Sequence, residues 1–213
     1  MTVSPRLLKA GIVLMDPETG AVQRVIALQY NPDSLSRSLQ VRASGEGGDR
    51  SEAFRVTGPP VETLKLEAEL DAADQLDAGD PVASELGIHP QLAALETILY
   101  PSSGQLEQNN ELARTGTLEI VPSETPLTLF VFGRTRVVPV RLTDFSITEE
   151  AFDPALNPIR AKVSLGMRVL TVDDVGFDHR AGGLFMSYLQ QKESLATKHI
   201  GGTIGTLGLT AIP

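Results

Sequence analysis

Residues Thr117–Val172 read TLEIVPSETPLTLFVFGRTRVVPVRLTDFSITEEAFDPALNPIRAKVSLGMRVLTV, and the end of this stretch decides the fold. Ile159, Ala161, Val163, Leu165, Met167, Val169 and Thr171 fall on one side of an alternation. Arg160, Lys162, Ser164, Gly166 and Arg168 fall on the other, until Leu170 and Val172 break the polar side. A period of two places the two sets on opposite faces of a strand. The fourteen residues Ile159–Val172 would span about 46 Å at roughly 3.3 Å per residue, where an average strand has about five or six residues. Burying the apolar side brings about 1.5–3 kcal/mol for each large side chain, as an upper bracket. That gain needs something packed along the whole face, while the polar side needs water. A large barrel built by several chains meets both demands and removes open strand edges.

Upstream, Leu127–Phe132 and Arg136–Leu142 form a hairpin around the tight turn Gly133-Arg134-Thr135. Pro139 predicts a sheet edge or a bulge, because proline cannot donate to a ladder. Val138, Val140 and Leu142 share one parity and Phe145 and Ile147 the other. One extra residue near Thr143-Asp144 restores the face, which predicts a β-bulge there. Phe152–Pro158 is the return loop, and Thr117–Val121 reads as a further short strand.

Farther out, Gly58-Pro59-Pro60 leads into a half-buried strand. Leu64, Leu66, Ala68 and Leu70 face one way, and Thr63, Lys65, Glu67, Glu69 and Asp71 the other. The chain opens with a hairpin, Leu7–Leu14 and Ala21–Gln29 around Asp16-Pro17-Glu18-Thr19-Gly20. Tyr30-Asn31-Pro32 breaks the pairing, and Leu35, Leu39 and Val41 mark a weaker third strand. Ala43–Arg50 is a flexible loop, whose glycines lack the strand–loop–helix setting that phosphate binding needs. A short helix starts at Pro81 and is interrupted at Gly87-Ile88-His89-Pro90. Leu92, Leu95, Ile98 and Leu99 then mark an amphipathic helix that Pro101 stops. Ser102–Thr115 reads as polar and irregular, and Asp173–Ala181 as a loop. Leu184, Phe185, Tyr188, Leu189, Lys192 and Leu195 mark a last amphipathic helix, ended by Gly201-Gly202. Amphipathicity favours packing of this helix on its own sheet, with docking on a neighbour as the alternative. The tail GGTIGTLGLTAIP is an arm, mobile or bound to a partner.

The expected organisation is a β domain over 1–180 with a helical insertion around 81–100, a C-terminal helix over 181–200 and a Gly-rich tail over 201–213. The fold class is β-rich α+β, an antiparallel β-sandwich or barrel with long hairpins and flanking helices.

The 213 residues carry a net charge of −9, with 41% apolar and 21% charged residues, within the range of ordinary globular proteins. From Glu62 to Glu111 eleven acidic residues face one base, Lys65. An acidic middle argues against nucleic-acid binding, which wants a basic stripe. No apolar run approaches the roughly 20 residues that cross a bilayer. The opening MTVSPRLLKAGIVLMD does not read as a secretory leader, its short apolar part being interrupted by Lys9. There is no cysteine, which excludes disulfides, thiolate metal sites and cysteine nucleophiles.

No catalytic or cofactor-binding motif is found. His89, His179 and His199 are far apart and lack metal-ligand spacing. Asp71, Asp74, Asp77 and Asp80 repeat every third residue, whereas a calcium loop wants ligands at alternate positions and a closing glutamate. Neither an enzyme nor a cofactor or metal protein is expected.

Three groups of residues carry a family resemblance. They are Tyr30-Asn31-Pro32 after the opening hairpin, Gly58-Pro59-Pro60-Val61-Glu62 before LKLEAEL, and Phe152-Asp153-Pro154 through Asn157-Pro158-Ile159-Arg160-Ala161. In this order, joined to the long final hairpin, they resemble the N-terminal domain of contractile injection system tube proteins over roughly residues 7–175. The resemblance implies a tail-tube fold and a structural role as tube initiator or baseplate adaptor of a phage-tail-like particle. Six copies would join their hairpins into one ring barrel around a lumen, between the spike hub and the inner tube. The implied partners are five further copies, the inner-tube protein, the spike or hub protein and other baseplate proteins. Assembly would take place in the cytoplasm, as part of a particle that can be released. Lys65, Glu67 and Glu69, or Arg160, Lys162 and Arg168, are the candidates for the lumen or ring interface. Phe185, Tyr188 and Leu189 are the candidates for a docking helix. Longer relatives carry a LysM module after this domain; the residues after 180 do not resemble one, so glycan binding is not carried over. A repeating inner-tube subunit of the same machine is the alternative. A ligand- or glycan-binding β-sandwich is a further one, which would need an aromatic platform, yet aromatics are 5% and tryptophan is absent.

Overall fold

The computed structural model describes residues 8–42, 55–116 and 125–212. The Ala43–Arg50 loop and the Thr117–Val121 strand lie outside the described residues. The opening hairpin is β1 (Gly11–Met15) and β2 (Val22–Ala27). Its turn is held by Asp16, whose side chain accepts from the backbone N–H groups of Glu18 (3.0 Å) and Thr19 (2.7 Å). β3 (Leu35–Gln40) pairs with the first half of β4 (Val61–Asp71), which alternates as its sequence demands.

Four helices then follow: α1 (Ala73–Asp77), α2 (Pro81–Leu86), α3 (His89–Glu96) and α4 (Ser103–Arg114). Asp80 caps α2 by accepting from the Ala83 N–H at 2.8 Å, with Pro81 in the first turn. α4 corrects the expectation of an irregular 102–115. Ser102 caps it through the Gln105 N–H, but none of its residues is buried, so it leaves no apolar periodicity to read.

β5 (Leu127–Val131), β6 (Val137–Phe152) and β7 (Pro158–Val169) complete one seven-stranded antiparallel sheet in the order β2-β1-β5-β6-β7-β4-β3. The fold is therefore β-rich α+β. It is not a closed barrel: β2 and β3 end the sheet, each paired on one side only. The bulge occurs where parity demands it. Leu142 faces Met167 and Asp144 faces Gly166, leaving Thr143 as the extra residue. Phe145 and Ile147 thereby return to the side of Leu165 and Val163. Pro139 is neither at a sheet edge nor in a bulge, because it opposes Leu129 inside a central strand. Its carbonyl accepts from Leu170, one residue past the end of β7. Its missing N–H points the same way, to where the neighbouring ladder has run out.

The main core gathers Ile12, Leu64, Leu66, Phe130, Val138, Val163, Leu165 and Met167 under Ile88, Leu92 and Leu95 of the helical segment. After the single turn α5 (Val172–Val175), α6 (Arg180–Ala196) adds Phe185 and Tyr188 to that core. Ala181 of α6 joins Leu127 and Leu129 in a second, smaller cluster. The helical segment is tied to the β6–β7 turn at Gly87 (φ +58°), where the Ile88 N–H donates to the Pro158 carbonyl at 2.9 Å. A Cβ at Gly87 would collide with that carbonyl.

Candidate assembly face

β4, β7 and the distal part of β6 form a ribbon whose core face is aliphatic and whose other face is polar. Thr63, Lys65, Glu67, Glu69 and Asp71 stand opposite Arg168, Gly166, Ser164, Lys162 and Arg160. The same β7 residues face Arg141, Asp144, Ser146, Thr148 and Glu150 of β6. Both sets of sequence candidates thus occupy one face of one sheet. The sequence offered them as alternatives, because it gives the parity of each strand but not the register between strands.

Charge on this face is balanced across the strands. Lys65, Arg141, Arg160, Lys162 and Arg168 oppose Glu67, Glu69, Asp71, Asp144 and Glu150. Arg160 pairs with Asp71 at 2.7 Å and Lys162 with Glu150 at 3.4 Å, while Arg168 reaches Asp174 of α5 at 2.6 Å. The Ala73 backbone N–H, followed by Arg160, holds the Asp71 carboxyl below its ordinary range. Burial would raise the Asp174 carboxyl, but hydrogen bonds from the backbone and hydroxyl of Thr171, with the charge of Arg168, bring it below its ordinary value. Gly166 sits beneath the bulge, and a Cβ there would come within 2.7 Å of the Asp144 Cβ.

This ribbon is open along β6 on one side and ends in the edge strand β3 on the other. β5 pairs with β6 only over Val137–Val140, so Arg141–Phe152 has no strand partner on that side among the described residues. On the other side β3 covers β4 only from Val61 to Leu66. Beyond it the Gln29 side-chain amide serves both backbone groups of Asp71, donating to its carbonyl (2.6 Å) and accepting from its N–H (2.9 Å). The β3 residues themselves are mostly exposed.

The α6 candidates lie elsewhere. Phe185 and Tyr188 are buried in the chain's own core, with Leu189 partly buried beside them. Sequence reasoning missed what this helix does at its far end. Glu62, 3% exposed, accepts from Arg37 (2.6 Å), Tyr188 (3.1 Å) and Lys192 (2.8 Å). Burial would raise this carboxyl, but the Lys192 and Arg37 hydrogen bonds outweigh it and hold it below its ordinary value. Its position on the apolar parity of β4, with Leu64 and Leu66, is the signal that was available. Among the described residues no His, Cys, Asp and Glu group could hold a metal ion.

No family model matches the chain, and no curated protein matches it. Nine chains of solved structures are similar to it, among them two from gene transfer agent particles. One is the tail of an empty gene transfer agent particle, 12% identical over 76% of this chain and 90% of that chain, with a TM-score of 0.29. The other is the virion of a native gene transfer agent particle, 11% identical over 75% and 90%, with a TM-score of 0.26. Likenesses at these TM-scores decide nothing about the fold or the role.

Proposed function

We propose that this chain is a structural ring subunit, the tube initiator or baseplate adaptor of a contractile injection system. The observation that carries the proposal is a polar-faced β-ribbon with the stretch Arg141–Phe152 of β6, free on its outer flank among the described residues, on one side and the edge strand β3 on the other. A long unpaired edge is a template for pairing with another chain. Edges at opposite sides of one sheet join copies head to tail, and such a contact generates a ring when the rotation closes. The two faces then have different fates. The core face carries α3 and the Phe185–Tyr188 part of α6 and belongs on the roomier outside of the ring. The bare polar face, with Lys65, Glu67, Glu69, Arg160, Lys162 and Arg168, lines the lumen. The resemblance to contractile injection system tube proteins implies six copies and, as neighbours, an inner-tube protein on one side and a spike hub on the other. No reaction is part of this role.

Electron microscopy of the purified protein, alone and with the products of neighbouring genes, tests the reading. Six-membered rings that stop at one or two layers are expected. Long tubes from the protein alone would make it a repeating tube subunit instead. A persistent monomer in the presence of tube and hub proteins would remove both assembly roles.

A further inference from the structure

The cleft between the β3–β4 edge and α6 is an apolar groove of about 340 Å³, walled by Leu39, Pro59, Pro60, Phe185, Met186 and Leu189. Its one buried carboxylate, Glu62, has both oxygens engaged by side chains of the same chain, so the groove offers no free charge to a charged ligand. The same protein carries a segment of matching character. From Ile200 to Ile212 there is no charged residue. Ile200, Ile204, Leu207, Leu209 and Ile212 are all exposed, and none of the turn Ile204–Leu207 is buried. Five large apolar side chains exposed within thirteen uncharged residues point to a surface that a partner covers. Groove and segment are thus two uncovered apolar surfaces on one chain.

We infer that the groove receives the C-terminal arm, residues 200–212, of a second copy. The groove stays open although the arm of the same chain is present, and no arm residue lines it. The arm leaves from the far end of the helix that forms one wall, since α6 ends at Ala196 and the wall residues lie at 185–189. To fill its own groove the arm would have to reverse and run back along α6. An arm arriving from another copy needs no reversal. Leu39 places the groove on β3, the open edge of the sheet, so a copy approaching that edge has its arm within reach. Thirteen residues extend to about 43–47 Å at roughly 3.3–3.6 Å each, enough to cross from one copy to the next. The exchange is independent of whether the copies close into a ring.

The absence of cysteine makes the test clean. A Leu39→Cys chain is mixed with a differently tagged Leu207→Cys chain and oxidised. A heterodimer formed in several-fold excess over that from a Val22→Cys chain mixed with the same Leu207→Cys chain is expected. Val22 is exposed on the opposite edge strand. Heterodimer no greater than this control overturns the exchange. So does a Leu39→Cys/Leu207→Cys double variant that closes only within single chains. Rings without the cross-link remove the arm exchange and keep the ring; cross-linked pairs without rings do the reverse.

Discussion

Glu62 lies on the core-facing parity of β4, so alternation puts a carboxylate among leucines. Arg37 and Lys192, about a third exposed or less, and the Tyr188 hydroxyl make that position tolerable. Glu62→Gln keeps the shape and removes the charge, leaving two cations without their counter-ion. A loss of about 2 kcal/mol is expected, read as a lower urea midpoint with unchanged m; an unchanged midpoint would refute it. The pH dependence has a definite sign. The folded carboxyl lies below its ordinary value of 4.5, so its contribution is present above that value and is lost as the pH falls through the lower folded value. Wild type should therefore lose more stability than Glu62→Gln on acidification below about pH 4.5, the unfolded-state range for a glutamate. The sequence shows this residue in an acidic stretch, on the apolar parity of β4 and at the end of the Gly58–Glu62 motif, but not its partners. Its partners stand 25, 126 and 130 residues away, and no local pattern brings such positions together.

At the scale of elements, the β6 bulge keeps one long strand useful along its whole length. Deleting Thr143 would make Leu142 and Asp144 consecutive in the ladder with β7 and leave Phe145 and Ile147 on the core side, so only the local bend of the bulge is lost. A change of about 1 kcal/mol or less is expected, measured by thermal midpoint; a loss of several kcal/mol would show that the bend itself holds the sheet. Gly166→Ala presses on the same place, since its new Cβ meets Asp144, and a loss of about 1–2 kcal/mol is expected in the same assay. The bulge was legible because apolar parity changed between Leu142 and Phe145. Helix α4 was not, because it buries nothing. Its stability rests on local chemistry, so Ser102→Ala should cost about 1 kcal/mol of local helix stability. Faster amide exchange over 103–114, with the sheet unchanged, is the signature.

For the whole molecule, the arrangement of edges and faces governs what association can do. A single-cysteine variant at Lys162 carries a label on the polar face. With maleimide–gold attached, the metal is expected at the centre of ring images, and gold at the rim would turn the face outward. Replacing Lys162 should leave the subunit's own stability within about 0.5 kcal/mol, because its pair with Glu150 is long and exposed. An effect on rings without an effect on the thermal midpoint would then belong to assembly.

The sequence by itself determined the parity of β4, β6 and β7, the bulge, the two hairpins, the acidic middle and the amphipathic character of α6. Each of these follows from side chains a few residues apart, where periodicity and turn chemistry act. Only the tertiary structure decided that β5 lies between β1 and β6, that the sheet stays open, that both candidate sets share one face, and that α6 packs on its own chain through Phe185, Tyr188 and Glu62. These depend on strand order and register, which are set by packing between residues distant in sequence. An alternating strand has the same pattern whichever neighbour it finds.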